Sequence, residues 1–500
     1  MPKYDIVIIG SGLGGLLCGN ILSKEGYNVC IIEKNRQIGG CLQTFKRENV
    51  IFNTGLNYTE GLDEGQILNR YFKYFGVLNK LKLKRLEIDG FDIVTFEGNE
   101  YKHAQGHENF KNTLLQNFPN EKNALNKYID KLKTISDYFP LFNLGKEQPN
   151  IIDSKIFNES AYGFINSITS DKKLQNVLAG TNSLYAGVKD KTPLYIHALI
   201  NYSFINSAWR LIDGSFQLAE LLADSITENG GTILKKHEAN KFFIENNSIK
   251  YIELSNSERI EAKYFISNVH PAKTLQMIDE HQIKKAYRKR IIGLENTIGM
   301  FTLYVVFKND TFKYMNHNHY YYKGDTVWAT DYSEKNWPEY FMFYTPATSR
   351  SDIYADGAIV ITYMKFDELK KWENTTVEKR GSHYLDLKKR KAEDLLDLVE
   401  QKFPGIRNKI KSYYTSTPLT YRDFTGTVEG SSYGILKDYN DPFKSIILPK
   451  TKIPNLFFTG QNLNLHGILG VTIGSVMTCG ELVGLEYLIN KITLCQSTML

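Results

Sequence analysis

Three glycines with the spacing G-x-G-x-x-G and one acidic residue stand near the start of the chain. The glycines are Gly10, Gly12 and Gly15, and Glu33 follows at the distance expected of a nucleotide-binding fold. The first glycine allows a tight turn, the second lets the backbone approach a pyrophosphate, and the third lets a helix pack on its strand. An acid at this distance can accept hydrogen bonds from both ribose hydroxyls. The pattern therefore predicts binding of an adenine dinucleotide.

Strands and a helix are needed to hold these residues, and the same stretch of sequence predicts them. Residues 4–10, YDIVIIG, carry the β-branched run of a buried parallel strand. LLCGNILSKEG is typical of a helix that ends at Gly26, and YNVCIIEK of a second strand that ends at Glu33. A secretory or membrane signal is the alternative for residues 6–22, but a signal needs neither this glycine spacing nor a second strand. We therefore predict a nucleotide-binding strand, turn and helix.

A second glycine pair, Gly39-Gly40, follows Glu33 closely, with Thr44 shortly beyond it. A nicotinamide-binding domain would normally continue here with another alternating helix and strand. An extra glycine turn instead suits a cofactor that extends past its pyrophosphate, as FAD does, although a simple loop is the alternative. Gly55 in FNTGLNYTEG supplies a further flexible turn. The remaining candidate cofactor contacts in this part of the chain are Leu13, Gly14, Lys34, Leu56 and Asn57.

Residues 453–484, IPNLFFTGQNLNLHGILGVTIGSVMTCGELVG, form a second candidate nucleotide-binding segment. A buried strand over residues 455–459 leads through a loop into a glycine-rich helix. A helix start of this kind lets backbone N–H groups approach an anion or the pyrimidine edge of a flavin. A tightly packed core helix is the alternative. The candidate contacts in this segment are Gly460, Gln461, Gly467, Gly470 and Val471.

These segments resemble the phytoene desaturase family of FAD-dependent oxidoreductases, which also includes carotenoid isomerases and all-trans-retinol saturases. The resemblance covers nearly the whole chain and rests on GSGLGG (residues 10–15), Glu33, IGGCLQTF (38–45), LIDGSFQLAELL (211–222), YFISNVHP (264–271), TPLTYRDFTGTVEGSSYG (417–434) and FFTGQNLNLHGILG (457–470). The last two segments indicate the isomerase and saturase side of the family rather than the monoamine oxidases. The chain departs from the family at Asn53 and near Gln461, where carboxylates are frequent beside the ribityl chain.

The resemblance implies an α/β fold in which a Rossmann-like FAD-binding domain of the glutathione-reductase type is interleaved with a mixed α+β substrate domain. The FAD-binding domain would comprise residues 1–75, 206–271 and 450–490, and the substrate domain residues 76–205 and 272–449. The sequence agrees, because short alternating runs with turns at Asn246-Asn247 and Asn256-Ser257 predict a β-meander before residue 271. By resemblance, the backbone of Ala239 would contact the adenine.

The reaction that the resemblance implies is hydride transfer between FAD and a carbon–carbon bond of an apolar isoprenoid, polyene or related lipid. Desaturation, saturation and cis–trans isomerisation remain open, as does the external electron donor or acceptor. Such chemistry needs little acid or base from the protein, since the flavin carries the hydride.

His466, directly before the glycine-rich helix, is the leading candidate for a residue near the flavin ring. Arg422 and Glu429 are candidates for facing into the cleft, and purely structural roles are the alternative for all three. Two other functions stay open: a flavin amine oxidase, and a prenyl-lipid carrier of the GDP-dissociation-inhibitor type, which would bind no flavin.

Composition argues against several other classes of protein. The formal charge of +6 over 500 residues is small and predicts no nucleic-acid partner. The basic runs at residues 284–290 and 388–391 are typical of solvated helix faces, with contact to anionic lipid headgroups as the alternative. Five scattered cysteines without a C-x-x-C pair indicate a reducing cytoplasm. His317 and His319 have the spacing of metal ligands, but no cluster accompanies them, so we predict loop residues and no bound metal.

Hydrophobic patterning predicts a cavity inside the fold and no membrane-spanning helix, because apolar runs of the required length are absent from the sequence. GMFTLYVVF (residues 299–307) and GAIVITYMKF (357–366) are expected to be strands forming the cavity floor. The aromatic clusters at residues 317–328 and 340–346 are predicted to be packed core, with the lining of an apolar tunnel as the alternative. An insoluble substrate must enter from somewhere, so we expect weak peripheral membrane contact at the cavity mouth.

Overall fold

Two seven-stranded sheets organise the computed structural model, which describes residues 3–144 and 155–495. The strands are β1 (Tyr4–Ile9), β2 (Val29–Glu33), β3 (Thr44–Arg47), β4 (Val50–Asn53), β5 (Thr59–Glu60), β6 (Leu83–Arg85), β7 (Asp92–Phe96), β8 (Asn99–His103), β9 (Ala208–Leu211), β10 (Thr232–Lys235), β11 (Ala239–Glu245), β12 (Ser248–Leu254), β13 (Arg259–Ser267), β14 (Gly299–Phe307), β15 (Asn318–Tyr322), β16 (Tyr340–Tyr344), β17 (Gly357–Met364), β18 (Ile410–Ser416) and β19 (Leu456–Phe458).

Helices cover the sheets and connect them. They are α1 (Leu13–Lys24), α2 (Ile67–Phe75), α3 (His107–Leu115), α4 (Lys122–Tyr138), α5 (Lys155–Asn158), α6 (Ala161–Ile168), α7 (Lys172–Ala179), α8 (Leu194–Asn206), α9 (Phe216–Glu228), α10 (Pro271–Gln276), α11 (Lys285–Ile292), α12 (Ser382–Lys402), α13 (Ile406–Lys409), α14 (Pro418–Thr425), α15 (Pro442–Ser445), α16 (Gly467–Val483) and α17 (Leu485–Leu494). None of the helices within residues 3–144 and 155–495 is long and apolar enough to cross a bilayer.

The first sheet is the nucleotide-binding one. Its strand order is β10-β2-β1-β13, and these strands run parallel. On the side away from β1, the first half of β13 pairs with antiparallel β12 and its second half with parallel β19. Strands β1 and β2 are buried almost throughout, as their continuous apolar runs predict. The predicted meander is confirmed for β11, β12 and β13, whereas β10 instead joins β2 at the parallel edge.

The second sheet has the order β18-β14-β17-β16-β15-β7-β8 and is antiparallel except between β15 and β7. Both strands predicted as a cavity floor, β14 and β17, lie side by side at its centre. Because side chains alternate across a sheet, Met300, Thr302, Met342, Ile359 and Ile361 share one face. That face turns towards the nucleotide-binding sheet. The expected α/β architecture with a Rossmann-like portion is therefore confirmed.

The predicted domain ranges can be compared with the strands that form each sheet. Every strand of the first sheet comes from the ranges assigned to the FAD-binding domain, and every strand of the second from the other ranges. The small sheet β5-β9-β6 mixes strands from both. Of the predicted ranges, residues 1–2 and 145–154 lie outside the described residues. The exact boundaries stay a prediction.

A buried polar network ties β9 to the second sheet. Arg210 in β9 is only 1% exposed, and its guanidinium donates to the carbonyls of Met315 and His317 and, at 2.6 Å, to Oδ1 of Asn318. Nδ2 of Asn318 donates in turn to Oδ1 of Asp92 in β7 at 2.7 Å. Burial raises the pKa of Asp92 to about 7. The small sheet is thus fixed to the second sheet by directional hydrogen bonds.

Two expectations about local structure were wrong. Lys391 in the basic run 388–391 is buried and forms a 2.6 Å ion pair with Glu368, because its side of α12 packs against Trp337. His319 lies in β15 rather than in a loop, with His317 directly before it. Their Nε2 atoms are 3.0 Å apart, and burial lowers the pKa of His317 to about 4. Among the described residues no group of three candidate metal ligands occurs.

Candidate functional site

The glycine-rich turn after β1 forms the first part of the site. Gly10 has φ +92°, a conformation that glycine adopts without steric cost, and Gly12 is the N-cap of α1. A β-carbon on Gly15 would lie 2.0 Å from the carbonyl oxygen of Gly10, so only glycine lets the helix pack this close to the strand. The first N–H groups of α1 lack acceptors within the helix, so its positive end is suited to binding an anion.

The predicted ribose-binding acid, Glu33, lies at the end of β2 beside this turn. Its Oε2 accepts hydrogen bonds from the backbone N–H of Ser11 at 3.0 Å and from the hydroxyl of Ser11 at 2.6 Å. Its Oε1 accepts from the backbone N–H of Asn35 at 2.8 Å. The side chain is 6% exposed. These donors hold the carboxylate in one orientation beside the helix N-terminus.

Asn268 joins the two glycine segments that are far apart in sequence. It follows β13, and β-carbons on Gly12, Gly14 and Gly460 would lie 2.8, 2.6 and 2.3 Å from its amide atoms. A β-carbon on Gly14 would also lie 2.9 Å from the Cα of Gly460. The backbones of the N-terminal and C-terminal segments can therefore approach this closely only because these positions are glycine. We missed Asn268 from sequence, although the motif YFISNVHP contains it.

The second glycine pair lies next to the first. The backbone N–H of Gly39 donates to the carbonyl of Ser11 at 2.9 Å, and a β-carbon on Gly40 would lie 3.1 Å from the Cα of Gly12. Gly55 packs against Cys41, with 2.8 Å between its missing β-carbon and Cβ of Cys41. Burial raises the pKa of the Cys41 thiol to about 11, so it stays protonated at neutral pH. The glycine pair is thus part of the nucleotide cradle.

The start of α16 closes the cradle from the other side. Gly467, with φ +78°, is its first residue, and Glu60 accepts a hydrogen bond from the backbone N–H of Leu469 at 3.3 Å. Burial raises the pKa of Glu60. A β-carbon on Gly470 would lie 2.7 Å from the carbonyl carbon of Leu465, so the helix start folds tightly onto its own loop. Gly467 and Ile468, the first two residues of the helix, line the first cavity.

A cavity of about 210 Å³ lies between the glycine segments and the second sheet. One wall is mainly backbone, and the opposite wall is the sheet face described above together with Tyr340 and Tyr433. The predicted cofactor contacts that line this cavity are Gly12, Leu13, Gly14, Gly39, Gly40, Gly55, Leu56, Asn57, Gly460, Gln461, Gly467 and Val471. The cavity therefore combines a glycine cradle on one side with an apolar floor on the other.

A second cavity of about 570 Å³ continues from the first towards the surface. The two share the lining residues Gly40, Cys41, Thr54, Tyr421 and Thr425. Its outer part is lined by residues of β3, α12, β18 and α14, which the sequence alone does not bring together. The exposed apolar side chains Leu385 and Phe424 lie at its mouth.

The three candidate catalytic residues lie outside both linings. The Nε2–H of His466 donates to the carbonyl of Leu184 at 2.9 Å, and the ring packs on Tyr433, with 4.3 Å between ring centroids. Burial lowers the pKa of His466 to about 4, which leaves the ring neutral and acting as a donor here. It therefore stands one layer behind a lining residue.

Arg422 and Glu429 also lie away from the cavity linings. The guanidinium of Arg422 donates to the carbonyl of Glu373 and to the carboxylate of Asp423, and Glu429 occupies a tight turn with φ +54°. These bonds direct Arg422 towards the segment before α12 rather than into the cleft.

The predicted cofactor residues Lys34, Thr44 and Ala239 do not line the first cavity. Thr44 lines the second cavity, and the ammonium of Lys34 donates to the carbonyl of Asp423 at 2.8 Å. Ala239 is the first residue of β11, close in the chain to His237, whose N–H donates to the carbonyl of Glu33. Asn53, where the family often has a carboxylate, lines the first cavity, and its Oδ1 accepts from the backbone N–H of Ser215 at 2.9 Å. Contacts of these residues with a cofactor stay predictions.

Comparisons with known proteins agree with this geometry. A family model described as an NAD(P)-binding Rossmann-like domain matches residues 8–75. All-trans-retinol 13,14-reductase of Danio rerio is 23% identical over 526 aligned residues, which cover 96% of this chain and 86% of that protein. Prolycopene isomerase 1, chloroplastic, of an Oncidium hybrid cultivar is 21% identical over 98% of this chain and 85% of that protein.

Solved structures share the fold at lower identity. Wild-type putrescine oxidase bound to putrescine superposes with a TM-score of 0.65 and 12% identity, over 96% of this chain and 99% of that one. At this identity the likeness concerns the fold alone. The two nearly full-length sequence matches, the Rossmann-like segment and the glycine cradle agree with one another. Over nearly its whole length the chain is therefore similar to proteins named all-trans-retinol 13,14-reductase and prolycopene isomerase, and its N-terminal segment matches a Rossmann-like dinucleotide-binding domain.

Proposed function

We propose that this protein binds FAD and acts on carbon–carbon bonds of an apolar isoprenoid, polyene or related lipid. The observation that carries the proposal is the cavity in which the glycine cradle faces Met300, Met342, Ile359 and Ile361. The chemistry that FAD supplies when bound is hydride transfer in either direction. The names of the aligned retinol reductase and prolycopene isomerase support a polyene as the substrate class.

The residues around the cavity fit FAD. Backbone N–H groups at the start of α1 would hold the pyrophosphate, and Glu33 would accept hydrogen bonds from the adenosine ribose. The start of α16 at Gly467 and Ile468 offers N–H groups to a ring edge. Gly12, Gly14 and Gly460 lie against Asn268, and a side chain at any of these three positions would collide with it.

The protein's own part in the reaction is to orient the chain and exclude water. The hydroxyl of Tyr421 donates to the carbonyl of Thr54 at 3.1 Å, and that of Tyr433 to the carbonyl of Ser183 at 3.0 Å. Burial raises the pKa of Tyr421 well above its ordinary value and lowers that of His270 to about 4. The lining therefore contributes neutral groups, which suits an uncharged carbon chain.

The flavin spectrum tests the proposal. Purified protein, reconstituted with FAD if necessary, is expected to show the absorbance of bound oxidised flavin and to bleach on reduction. Apolar molecules that co-purify are extracted and identified by mass, and each is incubated with the oxidised and with the reduced enzyme. Turnover by the oxidised enzyme indicates desaturation. Turnover by the reduced enzyme with net hydride transfer indicates saturation, and turnover by the reduced enzyme without net hydride transfer indicates isomerisation. Protein that remains colourless after reconstitution contradicts the proposal.

A flavin amine oxidase shares the fold but fits the site less well. The lining of the second cavity contains the cations Arg47, Lys388 and Lys389 and, among the described residues, no carboxylate. Such a lining repels a substrate that enters as an ammonium ion. A prenyl-lipid carrier without flavin would have no need of the glycine cradle, and detection of bound FAD separates it from the enzyme.

We further propose that the protein is cytoplasmic and contacts membranes weakly at the mouth of the second cavity. Leu385 and Phe424 are 62% and 44% exposed there, next to the route that an insoluble substrate would take. All five cysteines are free thiols, which suits a reducing compartment.

Replacing Leu385 and Phe424 together by serine is expected to reduce sedimentation with anionic liposomes by about fivefold or more, because apolar side chains are lost from the contact. The matched control is Ile353→Ser, since Ile353 is 69% exposed but not part of the cavity mouth. Failure of the unmodified protein to sediment, or equal loss in the control, contradicts membrane contact at this mouth.

A further inference from the structure

Three cations line the outer part of the second cavity. They are Arg47 at the end of β3 and Lys388 and Lys389 on α12. None of the three forms an ion pair with another described residue. The second cavity is the route from the surface to the first cavity, so a molecule that reaches the floor of the sheet passes these side chains.

The nearest carboxylates are engaged elsewhere. Glu48, next to Arg47 in the chain, pairs with Lys411 at 2.8 Å and also accepts hydrogen bonds from Ser412 and Tyr414. Asp423 pairs with Arg380 and Arg422. Glu393 interacts electrostatically with Lys389, but it pairs with Arg407, so no described carboxylate forms an ion pair with any of the three cations.

Aromatic side chains hold two of the cations at the cavity, although Arg47, like Lys389, is exposed to solvent. Lys388 is half-buried, with its ammonium 5.6 Å from the ring centre of Tyr384, and burial together with the charge of Arg380 lowers its pKa. The guanidinium of Arg47 stacks on Phe45 and Tyr414, at 5.3 and 5.4 Å from their ring centres. Holding a lysine partly desolvated beside other positive charges is unfavourable unless an anion binds there.

The inner part of the same cavity has the opposite character. It shares Cys41 and Tyr421 with the first cavity, whose lining includes the apolar sheet face with Met342 and Ile361. A ligand that fills the whole route is therefore apolar along its inner length and charged at its outer end. An uncharged hydrocarbon would leave the three cations without a partner.

We propose that the substrate is an amphiphile, a polyene or isoprenoid chain that ends in an anionic head group held by Arg47, Lys388 and Lys389. This inference rests on the proposed function, because it assigns the reacting carbons to the first cavity. The head group is a carboxylate or a phosphate, since both match the donors of arginine and lysine. A lipid membrane is the less suitable partner for these charges, because Lys388 faces the cavity interior.

The test uses FAD-loaded protein and the fluorescence of parinaric acid, a conjugated polyene with a carboxylate, compared with methyl parinarate. The acid is expected to bind about tenfold tighter than the ester, as a hydrogen-bonded charge at a partly buried site would produce. Lys388→Gln and Arg47→Gln should each remove most of this preference without changing the affinity for the ester. Lys388→Arg should retain it.

Arg390→Gln is the matched control, because Arg390 carries the same charge on the same helix but lies outside the cavity lining. It should keep the preference for the acid. Dodecanoate and dodecyl phosphate are then compared as competitors, and the stronger one identifies the head group. Displacement by neither contradicts the inference.

Other results also overturn the inference. Equal affinity of the unmodified protein for acid and ester does so, as does a preference that survives both Lys388→Gln and Arg47→Gln. If those variants lose sedimentation with anionic vesicles but keep the preference, the cations serve a lipid surface instead. Failure of any polyene to react contradicts the proposed function alone, because the fluorescence comparison of acid and ester does not depend on turnover.

Discussion

Gly12→Asp is expected to abolish flavin binding. A β-carbon at residue 12 would lie 2.8 Å from Nδ2 of Asn268, so the larger side chain must turn into the space proposed for the pyrophosphate. There its carboxylate would repel the phosphates and occupy the positive end of α1 in their place. The purified variant should lack the flavin absorbance even after incubation with excess FAD, a loss in affinity of about a hundredfold or more.

Two further variants distinguish the effect of the added charge from the effect of the added side-chain volume and from general destabilisation of the fold. Gly12→Ala should weaken FAD binding less, because the methyl group displaces Asn268 but adds no charge. Gly324→Asp is the matched control, since Gly324 is exposed and a β-carbon there would meet nothing within 4 Å. It should bind FAD normally and unfold at the same temperature as the unmodified protein. A fully flavinylated Gly12→Asp protein would falsify the assignment of this turn to the pyrophosphate.

Arg210→Met is expected to lower the free energy of unfolding by about 3–5 kcal/mol. Methionine replaces the aliphatic part of the side chain, but it leaves the carbonyls of Met315 and His317 and Oδ1 of Asn318 buried without their donor. The buried acid Asp92 also loses the nearby positive charge. The small sheet that carries β5 and β9 should therefore dock less firmly on the second sheet.

Chemical denaturation at pH 7 measures this effect, with the midpoint followed by tryptophan fluorescence. Arg259→Met serves as the control, because the side chain of Arg259 is 61% exposed and its pairing with Glu253 is a surface contact. Its midpoint should change little. A midpoint for Arg210→Met as high as that of the control would show that the network contributes no net stability.

Much of the nucleotide cradle could be predicted because its signals are local. Gly10, Gly12 and Gly15 lie within one strand–turn–helix, where backbone geometry restricts each position to glycine, and Glu33 ends the adjacent strand. The strands β14 and β17 could be predicted as a cavity floor because continuous apolar runs indicate burial on both faces. These features depend on short stretches whose hydrophobic pattern and sterics are independent of distant residues.

The catalytic candidates show that a motif does not predict the direction of a side chain. His466 was chosen because it precedes the glycine-rich helix, yet its ring turns to the carbonyl of Leu184 behind the lining. Arg422 lies in a family-like motif, but the neighbouring Asp423 and the carbonyl of Glu373 direct its guanidinium away from the cleft. Side-chain direction depends on partners that are remote in sequence, and a motif does not contain them.

By itself, the sequence determined that this protein binds a dinucleotide through an α/β fold and belongs among the flavin-dependent oxidoreductases. Only the tertiary structure brought Asn268 between Gly12 and Gly460 and placed Arg47 opposite Lys388 at the mouth of the second cavity. Asn268 directly follows β13, whereas Arg47 and Lys388 belong to β3 and α12. These elements come together only when both sheets have packed. The steric constraints on a turn depend on residues that are close in sequence, whereas the shape and charge of a cavity depend on segments that lie hundreds of residues apart.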